Sequence, residues 1–204
     1  MVRKPAQKRI DREEASERMI NAAIDLLSTA DIAEITVDRI TETAGLASGH
    51  VLVHRYFGSR AELMAAVAHR LAEGCVRAIN DPVGSAANPS GDTVVGALIA
   101  IARGVEMIRK RALVLAELQT VAADPVPHAV DYQAIAAAVR QRLAAVVSNE
   151  RILRPLSFKV LALIQMEATQ RAWTGTSETD RADIRQLIMG EIALADRVAA
   201  ELGW

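Results

Sequence analysis

Residues 36–46 read Thr36-Val37-Asp38-Arg39-Ile40-Thr41-Glu42-Thr43-Ala44-Gly45-Leu46, and this stretch decides the fold. Thr36 is of the type that opens a helix, because its hydroxyl accepts a hydrogen bond from a free amide of the first turn. Val37, Ile40 and Ala44 then recur at three- and four-residue spacing, one face of a short helix. Gly45 follows where a helix needs a left-handed closing residue, a conformation that glycine adopts without a side-chain clash. A further short helix fits within residues 48–56. Two short helices joined at a glycine suggest a helix-turn-helix, whose second helix fits a major groove about 12 Å wide while the first braces the backbone.

Working outward, helical periodicity recurs along almost the whole chain. Ala15, Met19, Ala22, Ala23, Leu26 and Leu27 form the apolar face of a first helix that ends near Asp31. Ser59 and Glu62 have the spacing of a capping box and start a long fourth helix with Leu63, Val67, Leu71, Cys75 and Ala78 on one side. Residues 81–92, DPVGSAANPSGD, read as a loop and set the expected boundary between a domain 1–80 and a domain 81–204. Leu98, Ile101, Val105 and Ile108 mark a fifth helix, and residues 113–123 a sixth, stopped by Asp124-Pro125-Val126-Pro127. Ile135, Val139, Leu143 and Val146 mark a seventh. Pro155 suits the first turn of an eighth, which runs to about Trp173. A ninth, with Ser177 and Asp180 as candidate caps, carries Ile184, Ile188, Ile192, Ala195, Ala199 and Leu202. The expectation is an all-α fold of about nine helices.

Composition agrees with that class. Hydrophobic residues make up 51% of the 204 and charged residues 24%, enough for a sizeable core. Aromatic residues are only 3%, so the core is aliphatic and alanine-rich. The net charge of −1 gives no global attraction to nucleic acid, but the distribution does. The first twelve residues carry Arg3, Lys4, Lys8, Arg9 and Arg12 against one acid, Asp11. Residues 43–61 contain no acid, yet hold His50, His54, Arg55 and Arg60. Cys75 is the only cysteine, which rules out an intramolecular disulfide and zinc sites built on two or more cysteines. His50 and His54 have metal-ligand spacing but lack the glutamate of H-E-x-x-H, so no metal is expected. His69 and His128 read as surface residues. No nucleophile elbow, phosphate-cradling loop or dinucleotide fingerprint occurs, so the chain reads as no enzyme and needs no cofactor. The N-terminus has no apolar signal region and no run of 18 apolar residues occurs, which predicts a cytoplasmic protein without membrane contact.

Thr36 to Leu46, followed by Tyr56-Phe57-Gly58-Ser59-Arg60-Ala61-Glu62-Leu63, resembles the DNA-binding region of TetR-family repressors over roughly residues 13–70. The A-G turn, the F-G-S and the capping box fall in the family's order. Thr41 and Ala47 stand where the family usually has Ala and Ser, and Arg60 where it has Lys. The distance from Ala44-Gly45 to Phe57 is about two residues longer than usual, with the extra length in residues 46–53.

The resemblance implies a homodimer that binds a palindromic double-stranded operator, with recognition helices about 34 Å apart. It implies that Thr36, His54 and Arg60 meet phosphate. Ser48, Gly49 and His50 fall near the start of the recognition helix, with Arg55 a turn later and Tyr56 toward the backbone. The basic tail, Lys8 and Arg9 included, crosses the backbone or enters the minor groove. It further implies an effector pocket among the helices of residues 81–204 and dimerisation through the last two. Met107, Leu118, Met166 and Trp173 are the candidate pocket residues, because Met and aromatic side chains adapt to apolar ligands. The eighth helix carries Leu156, Val160 and Leu163 on one face and Leu161, Ile164 and Ala168 on another, so it calls for two burial partners. The expected function is a repressor released from its operator by a small lipophilic effector. The alternative is a helical ligand-carrying or interaction protein without specific DNA binding.

Overall fold

The computed structural model describes residues 11–47, 49–81, 94–121, 129–144, 147, 149–174 and 181–202, with no strand among them. They form eight α-helices: α1 (Arg12–Leu26), α2 (Val37–Thr43), α3 (Gly49–Phe57), α4 (Arg60–Asn80), α5 (Val94–Val121), α6 (Ala129–Ala144), α7 (Glu150–Thr174) and α8 (Arg181–Leu202). A single 3₁₀ turn, Ile32–Glu34, precedes α2. The chain divides into two compact units, Met1–Val67 and Ala68–Trp204. That division falls inside α4, whereas the sequence reading sets its domain boundary in the loop after it.

In the first unit three helix starts have a side-chain acceptor. Asp11 Oδ1 accepts from Arg12 N (2.6 Å), Thr36 Oγ1 from Arg39 N (3.3 Å) and Ser59 Oγ from Glu62 N (3.1 Å). Asp31, expected near the end of α1, instead caps the 3₁₀ turn. At the end of α2 the Gly45 amide donates to Glu42 O and the Leu46 amide to Thr41 O, the paired bonds of a Schellman closure, with Gly45 at φ +68°. Ala15, Met19, Ala22, Ala23, Leu26 and Leu27 of the first helical face are all buried, together with Ile35, Val37, Ile40, Val53, Leu63, Met64 and Val67.

The second unit is an aliphatic bundle in which α7 packs against α5, α6 and α8. The fifth and sixth expected helices are one continuous α5, because Arg109-Lys110-Arg111-Ala112 contains only good helix formers and no breaker. The count among the described residues is therefore eight rather than about nine. Pro155 is not in the first turn of its helix: α7 begins at Glu150, where Asn149 Oδ1 accepts from Arg151 N (3.0 Å), and the proline sits further in. Leu156, Val160, Leu161 and Ile164 are all buried inside one chain. Leu163 is half-buried and the Ala168 side chain lies outside those described, so the two faces find most of their described burial within the unit. Arg142 closes the end of α4, donating from Nε to Ile79 O (2.7 Å) and from Nη2 to Asn80 O (2.6 Å), which satisfies carbonyls left over by the last turn.

Cys75 is fully buried, and desolvation pushes its thiol up to about 12, with the nearby Arg111 charge pulling the other way. The native state holds the thiol proton, so this group adds stability that is intact below about pH 9 and declines as pH rises toward 12. Iodoacetamide at pH 8 is expected to label Cys75 only in denaturant. Full native labelling, followed by mass spectrometry, would contradict the burial.

Candidate nucleic-acid interface

α3 touches the core through one fully buried side chain, Val53. Gly49 is half-buried against α2. A Cβ placed on it would stand 2.2 Å from Thr41 Oγ1, so these two positions interlock, the larger residue on α2 facing none on α3. The Thr41 hydroxyl is buried and donates to Val37 O and Asp38 O within α2 (3.0 and 3.1 Å). At the other end Gly58 has φ +87° and lies under the Glu62 carboxylate, which turns back over it.

Four residues of α3 face solvent on consecutive turns: His50, Val51, His54 and Arg55. With about 100° between residues they span one side of the helix, opposite Val53. The Arg55 guanidinium lies 5.8 Å from the centre of the half-buried Tyr56 ring, which holds the long side chain along the helix. His50 Nε2 is 3.5 Å from Asp38 Oδ1, the nearest described acid to this face. Val51, 66% exposed, is a residue that the sequence reading does not single out. Its signal is there: it stands two residues before Val53 and so points about 200° away from the core.

The remaining sequence candidates are placed as follows. Thr36 is exposed at the start of α2, where its side chain is the cap. Arg60 is half-buried and donates from Nη2 to Ile35 O (3.0 Å), so it ties the start of α4 to the residue before Thr36. Lys8, Arg9 and Ser48 lie outside the described residues, as do His128, Ser177 and Asp180. In the second unit Met107 is half-buried against the core, Leu118 is buried and Met166 is 62% exposed. Trp173 falls in α7, but its side chain is outside those described. Among the described residues no group of three His, Cys, Asp or Glu side chains gathers as a metal site, and no helix is long and apolar enough to cross a membrane.

Residues 19–67 match the profile of bacterial regulatory proteins of the tetR family. The match begins inside α1 and ends inside α4, so it takes in both short helices and the Gly45 and Gly58 turns. Over these residues the chain is similar to the tetR family. Solved structures share its fold beyond that segment. A tetR-family transcriptional regulator from Streptomyces coelicolor superposes with a TM-score of 0.66 at 20% identity, covering 94% of this chain and 85% of that one. A transcriptional regulator from Rhodococcus sp. Rha1 gives 0.59 at 13% identity, covering 88% and 95%. A TetR-like transcriptional regulator from Rhodococcus sp. RHA1 gives 0.54 at 20% identity, covering 94% and 99%. No curated protein matches the chain.

Proposed function

We propose that this protein is a cytoplasmic repressor that binds a palindromic operator as a homodimer and leaves it when a small effector occupies the helical bundle. The observation that carries the reading is the outer face of α3, where His50, Val51, His54 and Arg55 stand together on a stretch without acids. In this reading residues 1–80 contact DNA and residues 81–204 sense and dimerise. Arg55 supplies a bidentate donor for guanine or a phosphate contact, and Val51 an apolar contact for a thymine methyl. Thr36, Ser48, Gly49, His54, Tyr56 and Arg60 lie against the backbone, and Lys8 and Arg9 extend the contact along the duplex. Effector and operator are linked only through the effector's preference for one of two conformers of the protein.

The dimer reading rests on α7 and α8. Phe158, Met166, Met189, Leu194 and Val198 are large apolar residues left exposed on these two helices. A groove of about 220 Å³, lined among others by Ile152, Pro155, Leu194 and Val198, runs between them and is bridged by the Lys159–Glu191 ion pair (2.5 Å). Gly190 on α8 has open space where a Cβ would be, which suits close approach of a second helix.

The test is fluorescence anisotropy of purified protein with the DNA flanking its own gene, against random DNA, over a range of salt. Saturable binding at about 10⁻⁸ M or tighter, well above the control, is expected. Arg60→Ala combined with deletion of residues 1–12 is expected to weaken binding and to reduce the salt slope by about 0.9 for each phosphate that is no longer neutralised. Absence of binding at low salt, with ligand affinity retained, would replace the repressor by a helical carrier. At the level of single bases, replacing thymine by uracil at the contacted position removes one methyl group. The expected loss is about 0.8 kcal/mol, or fourfold, and Val51→Ala should be indifferent to that change. Equal sensitivity of both proteins would remove Val51 from the interface.

A further inference from the structure

Arg111 lies midway along α5 and is 2% exposed, a charged side chain inside an otherwise aliphatic bundle. Its position on the helix places it in one stripe with Met107, Val114 and Leu118, at spacings of four, three and four residues. Val114 and Leu118 are buried, and Met107 packs half-buried against the core. The anion that faces it is Asp131 on α6, whose Oδ2 stands 3.6 Å from Arg111 Nη2, beyond hydrogen-bond length. Neither Nε nor Nη2 of Arg111 meets an acceptor among the described residues. Cys75, the other polar neighbour, keeps its proton and brings no negative charge.

Asp131 itself is held elsewhere. Its Oδ1 is 2.9 Å from His69 Nδ1 on α4, and His69 Nε2 is 3.6 Å from Glu73 Oε1. The largely exposed His69 draws the carboxylate toward the surface and away from a full pairing with the guanidinium. A purely structural ion pair would use the planar fork; this one leaves Nε without an acceptor and Nη2 with only the long contact to Asp131, an arrangement that a carboxylate would complete with two parallel hydrogen bonds. Met107 is the side chain able to make room. It is unbranched and adaptable, and it leans into the space left by Gly74, where a Cβ would stand 2.9 Å from its sulfur.

We infer that Arg111 anchors the carboxylate of an amphipathic acid whose aliphatic part lies along Met107, Val114 and Leu118. This deepens the effector reading above and rests on it: the effector is an apolar acid rather than a wholly apolar molecule. Met107 and Leu118 belong to the site, and the exposed Met166 does not.

The experiment is titration calorimetry of the full chain with octanoate, dodecanoate and hexadecanoate, each paired with its primary alcohol, below their micelle concentrations. At least one acid is expected to bind saturably and about tenfold or more tighter than its alcohol. Arg111→Lys keeps the charge and loses the fork, so the preference should shrink. Arg111→Met combined with Asp131→Asn, checked for folding by circular dichroism, should abolish it while alcohol binding persists. Equal binding of acids and alcohols overturns the proposal and leaves a lipophilic effector standing. No binding of any acid overturns it, as does a preference that survives in both variants. Operator binding is measured separately in the same preparation. Protein that binds operator but no acid sinks the Arg111 site alone, and protein that binds acid but no DNA sinks the repressor and leaves the site.

Discussion

Leu194→Asp is expected to convert the proposed homodimer to a monomer and to weaken operator binding by about 10²-fold or more. Leu194 is an exposed apolar residue on α8, beside Val198 and at the edge of the groove against α7. In the single chain its substitution removes little buried surface, so the monomer should keep its helices. Across a two-fold axis the same substitution places two carboxylates in one apolar interface, where each needs a partner it lacks. The operator penalty follows from linkage of two half-sites. When one recognition helix is bound, the second binds from a high effective concentration, a gain of about 10²–10⁴ that a monomer forfeits. Light scattering after size exclusion reads the first effect and anisotropy the second. A variant that stays dimeric with unchanged operator affinity would move the interface away from α8.

Gly49→Ala is expected to destabilise the first unit by about 1–3 kcal/mol, the range for inserting a methyl group into a packed site. The new Cβ would stand 2.2 Å from Thr41 Oγ1 and 3.2 Å from Thr41 Cβ and Cγ2, so α3 has to lift from α2. Operator binding should fall with it, because the base of the recognition helix moves. Thr41→Ala removes the hydroxyl and methyl that collide, leaving only the 3.2 Å approach between the two Cβ atoms. The double variant is therefore expected to recover about 1 kcal/mol or more of the loss, a coupling typical of residues that touch directly. Thermal or urea unfolding of the four proteins in this cycle gives the answer. Additive losses would show that the close approach of Thr41 and Gly49 is not what holds α2 and α3 together.

This pair also marks where sequence reasoning reaches and where it stops. Thr36, Gly45, Ser59 and Glu62 are legible because each answers a local demand of the backbone: a free amide at a helix start, or a left-handed residue at its end. The first helical face is legible because all six of its apolar residues point the same way. That Thr41 and Gly49 compensate each other is a matter between helices, and spacing alone does not reveal it. The break expected between the fifth and sixth helices has the same origin. The apolar stripe of α5 is interrupted by Arg109, Lys110 and Arg111, and a pattern of solvated charge there reads as a helix end. Nothing local says that Arg111 is the most deeply buried of the three. Pro155 reads as a helix opener for its missing amide, but Asn149 supplies a stronger start on the N-terminal side of the proline. Residue type alone points to the pocket candidates, and it does not separate Met107, against the core, from Met166, in solvent.

The economy with which α3 is attached has an evolutionary consequence. One fully buried side chain, Val53, one close glycine approach and the half-buried Leu52, Tyr56 and Phe57 secure it, and the four residues of its outer face are exposed. Exposed substitutions of this kind usually alter stability by no more than about 0.5 kcal/mol. His50, Val51, His54 and Arg55 can therefore be exchanged in almost any combination without a compensating change elsewhere. A duplicated copy of this gene is free to drift toward a new operator through intermediates that all still fold.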